Sequence, residues 1–206
     1  MARSMTAKGK IVRKFGTNIY GQDKYDRLLA RRSNPPGQHG GRPGRSRTSN
    51  FGQQLKEKQK LKLTYGLLER QFRRTFDRAQ QRPGVTGDNL LTLLELRLDN
   101  SVYRAGFAAT RTQARQLVRH GHLLLNGRKA DIPSLELRVG DRISVRNRPK
   151  SRTLVARLAG EQPLHRSANW IETGRDQLDF RLASLPEPTA VRGDINPQLI
   201  VEYYSR

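Results

Sequence analysis

The sequence predicts an α+β chain: a helical domain, a small module of helices with a β-hairpin sheet, and a basic, irregular N-terminal arm. Three observations predict it. Apolar residues recur at helical spacing from Phe51 onward, an Asn-Gly pair separates two strand-like runs at 123–129, and residues 1–50 have few apolar positions and no sustained period. A length of 206 residues suffices for one large or two small cores.

Within the arm, Ser33 to Arg45 mixes Pro, Gly and Arg in the run Pro35-Pro36-Gly37-Gln38-His39-Gly40-Gly41-Arg42-Pro43-Gly44-Arg45. Pro and Gly do not sustain a helix, so this is irregular backbone, expected to order only against an anionic partner. From Phe51, Lys56, Lys58, Lys60 and Lys62 with Leu55, Leu61 and Leu63 suit a basic helix. A second helix follows Gly66 and ends at Arg82-Pro83-Gly84. Its Tyr65, Leu68, Phe72 and Phe76 form a core stripe, while Arg70, Arg74 and Arg78 line another face. The next helix opens at Thr86-Gly87-Asp88 with Asp88 as N-cap. It runs as one buried helix through Leu90, Leu91, Leu94, Leu98 and Val102 to Gly106.

Residues 110–147 are the most informative. Thr110 and Gln113 form a capping-box pair, and Gly121 is a left-handed stop. Between them Arg111, Arg115 and Arg119 fall on one stripe expected to face outward, opposite Ala114, Leu117 and Val118. Asn126-Gly127 predicts a tight hairpin, since both residues tolerate positive φ, and Arg128 and Lys129 follow at once. Val139-Gly140-Asp141 leads into a strand with Ile143 and Val145 inward and Arg142 and Arg146 outward. Beyond it, the apolar Trp170, Ile171, Leu178, Phe180, Leu199, Ile200 and Val201 lie in an acidic stretch and are expected to fold back onto the helices at 51–82.

Charge bounds the function. The chain holds 40 Lys+Arg against 18 Asp+Glu, a formal +22. Residues 1–82 carry 21 against 5, residues 83–157 carry 14 against 6, and residues 158–206 carry 5 against 7. Such a surplus calls for a polyanion, because cations that displace phosphate counterions gain affinity for nucleic acid. A membrane fits poorly, since no run of 18 apolar residues exists. No targeting segment is visible, which points to the cytoplasm. There is no cysteine, so disulfides, thiolate metal sites and cysteine nucleophiles are excluded. The four His (His39, His120, His122, His165) have no helical ligand spacing. No cofactor, metal or small-molecule substrate is expected.

The capped basic helix, the Asn-Gly hairpin and the Val-Gly-Asp strand together resemble the RNA-binding module of the S-four family of small-subunit ribosomal proteins. The resemblance extends through Pro36-Gly37-Gln38-His39-Gly40, Leu55-Lys56-Glu57-Lys58-Gln59-Lys60, Leu68-Glu69-Arg70-Gln71-Phe72 and Arg97-Leu98-Asp99-Asn100-Ser101-Val102-Tyr103-Arg104-Ala105-Gly106-Phe107 to the ending Leu199-Ile200-Val201-Glu202-Tyr203-Tyr204-Ser205. It implies a helical domain completed by the C-terminal segment with the RNA-binding module inserted: 1–45 the arm, 46–93 plus 175–206 the helical domain, 94–174 the module. It also implies early binding to small-subunit ribosomal RNA (rRNA) at a helix junction of the 5′ domain, nucleation of assembly, the neighbouring S-five protein, a place near where messenger RNA (mRNA) enters, and an influence on translational accuracy. Arg111, Thr112, Arg115, Arg119, Asn126 and Gly127 match the module's RNA-facing helix start and hairpin. With Arg45, Lys58, Arg70, Arg73, Arg74, His120, Arg128 and Lys129 they make up the candidate RNA contacts. Some relatives bind zinc through N-terminal cysteines; this chain has none, so its arm must fold without metal.

Two other readings compete. The module also occurs in RNA-modifying enzymes, and Arg97-Leu98-Asp99 mimics the tripeptide around the catalytic Asp of pseudouridine synthases. Only about 50 residues follow position 157, too few for a catalytic domain of typical size. A free-standing RNA-binding protein or RNA chaperone is the second alternative.

Overall fold

The computed structural model describes residues 6–38, 40, 49–160, 168–174, 178–188, 193 and 195–205. The chain divides into two compact units, Met1–Asp77 with Asp194–Arg206, and Arg78–Gly193.

The first unit begins with a departure from expectation. The arm contains two helices, α1 (Lys8–Phe15) and α2 (Asp23–Arg31). Ile11, Val12 and Phe15 of α1 and Tyr25 of α2 are buried, so this part of the arm is packed and helical. Gly16, at φ 73°, supplies the left-handed stop of α1. Arg13 then ties down the following chain, its Nε donating to the carbonyl of Asn34 at 2.9 Å. The basic helix is α3 (Asn50–Thr64), capped by Ser49 Oγ, which accepts from the Gly52 N–H at 3.2 Å. The second is α4 (Glu69–Gln80), where Tyr65, Phe72 and Phe76 of the predicted stripe are buried and Leu68 is half-buried.

The C-terminal helix, α9 (Pro197–Tyr204), packs on α3. Asn196 Oδ1 caps it by accepting from the Gln198 N–H at 3.0 Å, and Pro197 occupies the first turn, where a missing N–H costs nothing. Ile200 is fully buried, and the ring of Tyr204 lies 4.6 Å from that of Phe76.

In the second unit Asp88 is not a cap. Helix α5 (Thr86–Glu95) starts two residues earlier, with Val85 O accepting from the N–H groups of Asp88 and Asn89. Asp88 sits instead in the first turn, where its charge complements the helix dipole. Nor is there one helix to Gly106. Arg97 is extended (φ −64°, ψ 135°) and separates α5 from α6 (Leu98–Arg104). The cause is non-local: Arg97 bridges Glu136, Leu137 N–H donates to Leu96 O at 2.9 Å, and Leu98 N–H to Leu135 O at 2.8 Å.

Helix α7 (Arg111–Arg119) leads into an antiparallel sheet of five strands, in order β2-β1-β3-β5-β4. They are β1 (Leu123–Leu125), β2 (Arg128–Ala130), β3 (Arg142–Val145), β4 (Ile171–Thr173) and β5 (Asp179–Leu182), with α8 (Pro149–Gly160) after β3. Pairing of Leu125 with Arg128 puts Asn126-Gly127 in a two-residue turn, with φ 48° and 80°.

The expected fold-back of 170–182 onto the first unit is corrected. Phe180 pairs in register with Ile143, and Trp170, Ile171 and Phe180 belong to one buried cluster with Leu117, Leu123 and Ile143. A strand edge left open by β3 is satisfied by backbone pairing, which the apolar count alone did not reveal. Residues 178–188 and 193 stand with the second unit, as do 78–93.

Candidate nucleic-acid interface

The frame of the site is a buried polar network between α5, α6 and α7. Glu95 is fully buried and accepts two bonds from Arg104, at 2.9 and 2.8 Å, and one from Asn100 Nδ2 at 2.7 Å. Asp99, 2% exposed, accepts two from Arg97, at 3.1 and 2.9 Å. A third comes from Arg115 Nε at 2.8 Å. Arg111 Nε donates to Asn100 Oδ1 at 2.8 Å, and its guanidinium lies 4.6 Å over the Tyr103 ring. Buried carboxylates are tolerable because each is neutralised and hydrogen-bonded.

This corrects the picture of an outward arginine row. Arg111 and Arg115 are half-buried and held by α6, and only Arg119 of the three is exposed. The hydroxyl cap expected at the head of α7 is present, while the Gln113 amide bonds one residue before the cap. Thr110 Oγ1 accepts from the Gln113 N–H at 3.1 Å, and Gln113 Oε1 reaches back to the Ala109 N–H at 2.9 Å. Thr112 is exposed on the first turn.

At the other end of α7, Gly121 adopts φ 68°. A Cβ there would meet the Lys129 side chain, so helix end and hairpin approach closely. Arg119, His120, Arg128 and Lys129 are all exposed. Lys129 Nζ lies 3.0 Å from Asp131, and that carboxyl is held below its ordinary pKa chiefly by the hydrogen bond from Lys129. His122 is pushed below the usual histidine value by burial first and by His120 second.

Asn126 is exposed, yet its side chain is used within the fold. Its Nδ2 donates to Asp141 Oδ1 at 2.8 Å, and its Oδ1 accepts from the Arg142 N–H at 2.9 Å. It pins the hairpin tip to the Val-Gly-Asp turn. Gly127 at the tip is exposed, with nothing where a Cβ would stand.

Candidates in the first unit divide sharply. Lys58 is 3% exposed, paired with Glu69 at 2.7 Å and lying 4.7 Å over the Tyr203 ring. Its ammonium group is engaged within the fold. Arg70, Arg73 and Arg74 are exposed on α4, Arg73 also lying 5.6 Å over the Tyr204 ring. Arg45 lies outside the described residues.

Glu95, Asn100, Arg104 and the structural role of Asp99 are not among the residues singled out from the sequence. The signal was present: Leu94-Glu95-Leu96-Arg97-Leu98-Asp99-Asn100 sets charges inside an otherwise apolar run, and a charge buried there demands a partner.

Comparison with known proteins decides the family. Residues 3–95 match the model of the ribosomal protein S4/S9 N-terminal domain, and residues 96–143 match the S4 domain. The small ribosomal subunit protein uS4 of Chloroflexus aurantiacus is 50% identical over 208 residues, covering 100% of both chains. Those of Borrelia recurrentis and Borreliella burgdorferi are 48% and 44% identical over 207 residues, covering all of this chain and 99% of each relative. The chain belongs to the uS4 family. These relatives are named as ribosomal proteins and not as enzymes. In this uS4-family chain the Arg97-Leu98-Asp99 tripeptide is accounted for by the ion pairs of Asp99 with Arg97 and Arg115. Among the described residues, no helix is long and apolar enough to cross a membrane.

Proposed function

We propose that this chain is a structural constituent of the small ribosomal subunit that binds small-subunit rRNA. The observation that carries the reading is the surface where α7 meets the hairpin. There Arg119, His120, Arg128 and Lys129 are exposed together on a frame fixed by the Asn126–Asp141 contact. Guanidinium and ammonium groups suit phosphate oxygens, and a backbone frame already fixed need not be ordered on binding. Membership of a family named for the small subunit supports the same partner.

In this reading Arg119, His120, Arg128 and Lys129 contact phosphate and Thr112 and Gly127 let the RNA backbone approach, while in the first unit the exposed Arg70, Arg73 and Arg74 of α4 contact phosphate in their own right. Arg111 and Arg115 brace the frame. The finer role in this proposal is binding at a helix junction of the 5′ domain, nucleation of assembly, contact with the neighbouring S-five protein, and a place near the incoming messenger where decoding accuracy is influenced.

The test is a competition between a 5′-domain rRNA fragment and duplex DNA of equal length for the purified protein, with sedimentation of small subunits as a second readout. The reading expects rRNA to win and the protein to travel with small subunits at moderate salt. Equal affinity for both nucleic acids, with recovery as free protein, would overturn it.

A further inference from the structure

The cations assigned so far do not exhaust the charged surface of the second unit. The chain leaving β3 reads Arg146-Asn147-Arg148-Pro149-Lys150-Ser151-Arg152, four cations in seven residues with no carboxylate among them. Arg148, Lys150 and Arg152 are exposed, and Arg146 is half-buried. This run begins past the end of the S4-domain match at residue 143.

Its geometry joins it to the α7 end. Arg146 N–H donates to the His122 carbonyl at 2.8 Å. The His122 ring nitrogen Nδ1 lies 3.0 Å from Ser151 Oγ, and Ser151 is 3% exposed. Two contacts, one of backbone and one of side chains, thus fix the start of α8 beside His122, whose ring lies 6.1 Å from that of the exposed His120.

The placement of these charges is unfavourable in the isolated protein. The carbonyl of Arg148 accepts from the N–H groups of Ser151 and Arg152, at 2.9 and 3.0 Å, which makes it the start of α8. A helix start carries partial positive charge and favours anions. Here the first turn has no acidic residue and gathers cations instead. Like charges held at the positive end of a dipole are relieved by a bound anion.

We infer that Arg148, Lys150 and Arg152, with Arg146, form a second phosphate-contact patch that continues the α7–hairpin surface along the rRNA backbone. The inference rests on the rRNA-binding reading above. The patch reads backbone charge and carries no base selectivity, because its groups are flexible and its neighbours offer no stacking platform on that run.

The test replaces Arg148, Lys150 and Arg152 together with Gln in the full chain and measures binding to the 5′-domain rRNA fragment across a salt series. Each phosphate contact steepens log K against log salt by roughly 0.7–0.9, so the slope should flatten by about 2 to 3 units. Arg157→Gln, at the far end of the same helix, should leave the slope unchanged. Arg148→Lys with Arg152→Lys keeps the charge and should keep the wild-type slope, which separates loss of contact from loss of fold. The free Gln variant should melt no lower than wild type, since charge repulsion at the helix start is removed. An unchanged slope in the folded Gln variant would overturn the inference, as would a loss confined to an acidic protein neighbour in reconstituted subunits. Failure of the wild-type protein to prefer rRNA would instead overturn the reading on which it rests.

Discussion

Arg115 Nε donates to Asp99 Oδ2 at 2.8 Å, joining the first helix of the basic surface to a carboxylate whose side chain is 3% exposed. The contact converts a cation that looks free in the sequence into a brace. It sets α7 against α6 and leaves the outward face to Arg119 and the hairpin. Buried charge of this kind is costly to orphan.

Asp99→Ala should therefore destabilise the second unit by about 2–4 kcal/mol. This is somewhat below the range for a fully buried pair, because Arg115 keeps 18% of its side chain exposed. Trp170 is the single tryptophan and lies in the core of that unit, so its fluorescence in a urea titration reports the change. A loss below about 1 kcal/mol would show that solvent already screens the pair.

Phe180→Ala tests the place of β5. Phe180 is 1% exposed and packs edge-on against Phe107, with ring centroids 5.2 Å apart. Truncation should cost about 3–5 kcal/mol, again in the Trp170 transition. Hydrogen exchange should quicken in β1 and β3 and stay unchanged in α3. Loss of protection in α3 instead would restore the expected fold-back onto the helices.

The first unit should show an acid-sensitive stability centred on Glu69. Burial raises its pKa, but hydrogen bonds from Lys58, Lys62 and Tyr204 outweigh this and hold it at about 2, against an ordinary 4.5. A carboxyl depressed on folding contributes stability above its unfolded pKa and loses it as pH falls toward the folded value. Stability should thus decline between about pH 5 and pH 2, and Glu69→Gln should flatten that decline. Tyr204→Phe, which removes the 2.9 Å bond to Glu69, should flatten it less. A variant as acid-sensitive as wild type would assign the effect to other carboxylates.

What was legible in the sequence was what short-range chemistry decides. The Thr110–Gln113 cap, the Gly121 stop and the Asn126-Gly127 turn each rest on residues within four positions of one another, and the structure has all three. The aromatic stripe of α4 was equally local. Illegible were features made by distant partners. Arg97 breaks the long helix only because residues 135–137 pair with it, and Lys58 is withdrawn from solvent by Glu69 and the tyrosines of α9. The helices of the arm are hard to read because each is under ten residues, too short for a sustained apolar period. Ile11, Val12 and Phe15, with Gly16 after them, nevertheless spelled a short apolar face and a stop.

The measurement closest to the central claim is the salt dependence of binding to the 5′-domain rRNA fragment by wild type and by a chain with Arg119→Ala, Arg128→Ala and Lys129→Ala. These three side chains are exposed, and Ala keeps helix propensity at position 119, so the fold should survive. Each phosphate contact contributes roughly 0.7–0.9 to the slope, so the account predicts weaker binding and a slope flatter by about 2 to 3 units. A folded triple variant that binds rRNA with the wild-type slope would contradict it, and would move the binding surface away from the α7 end and the hairpin.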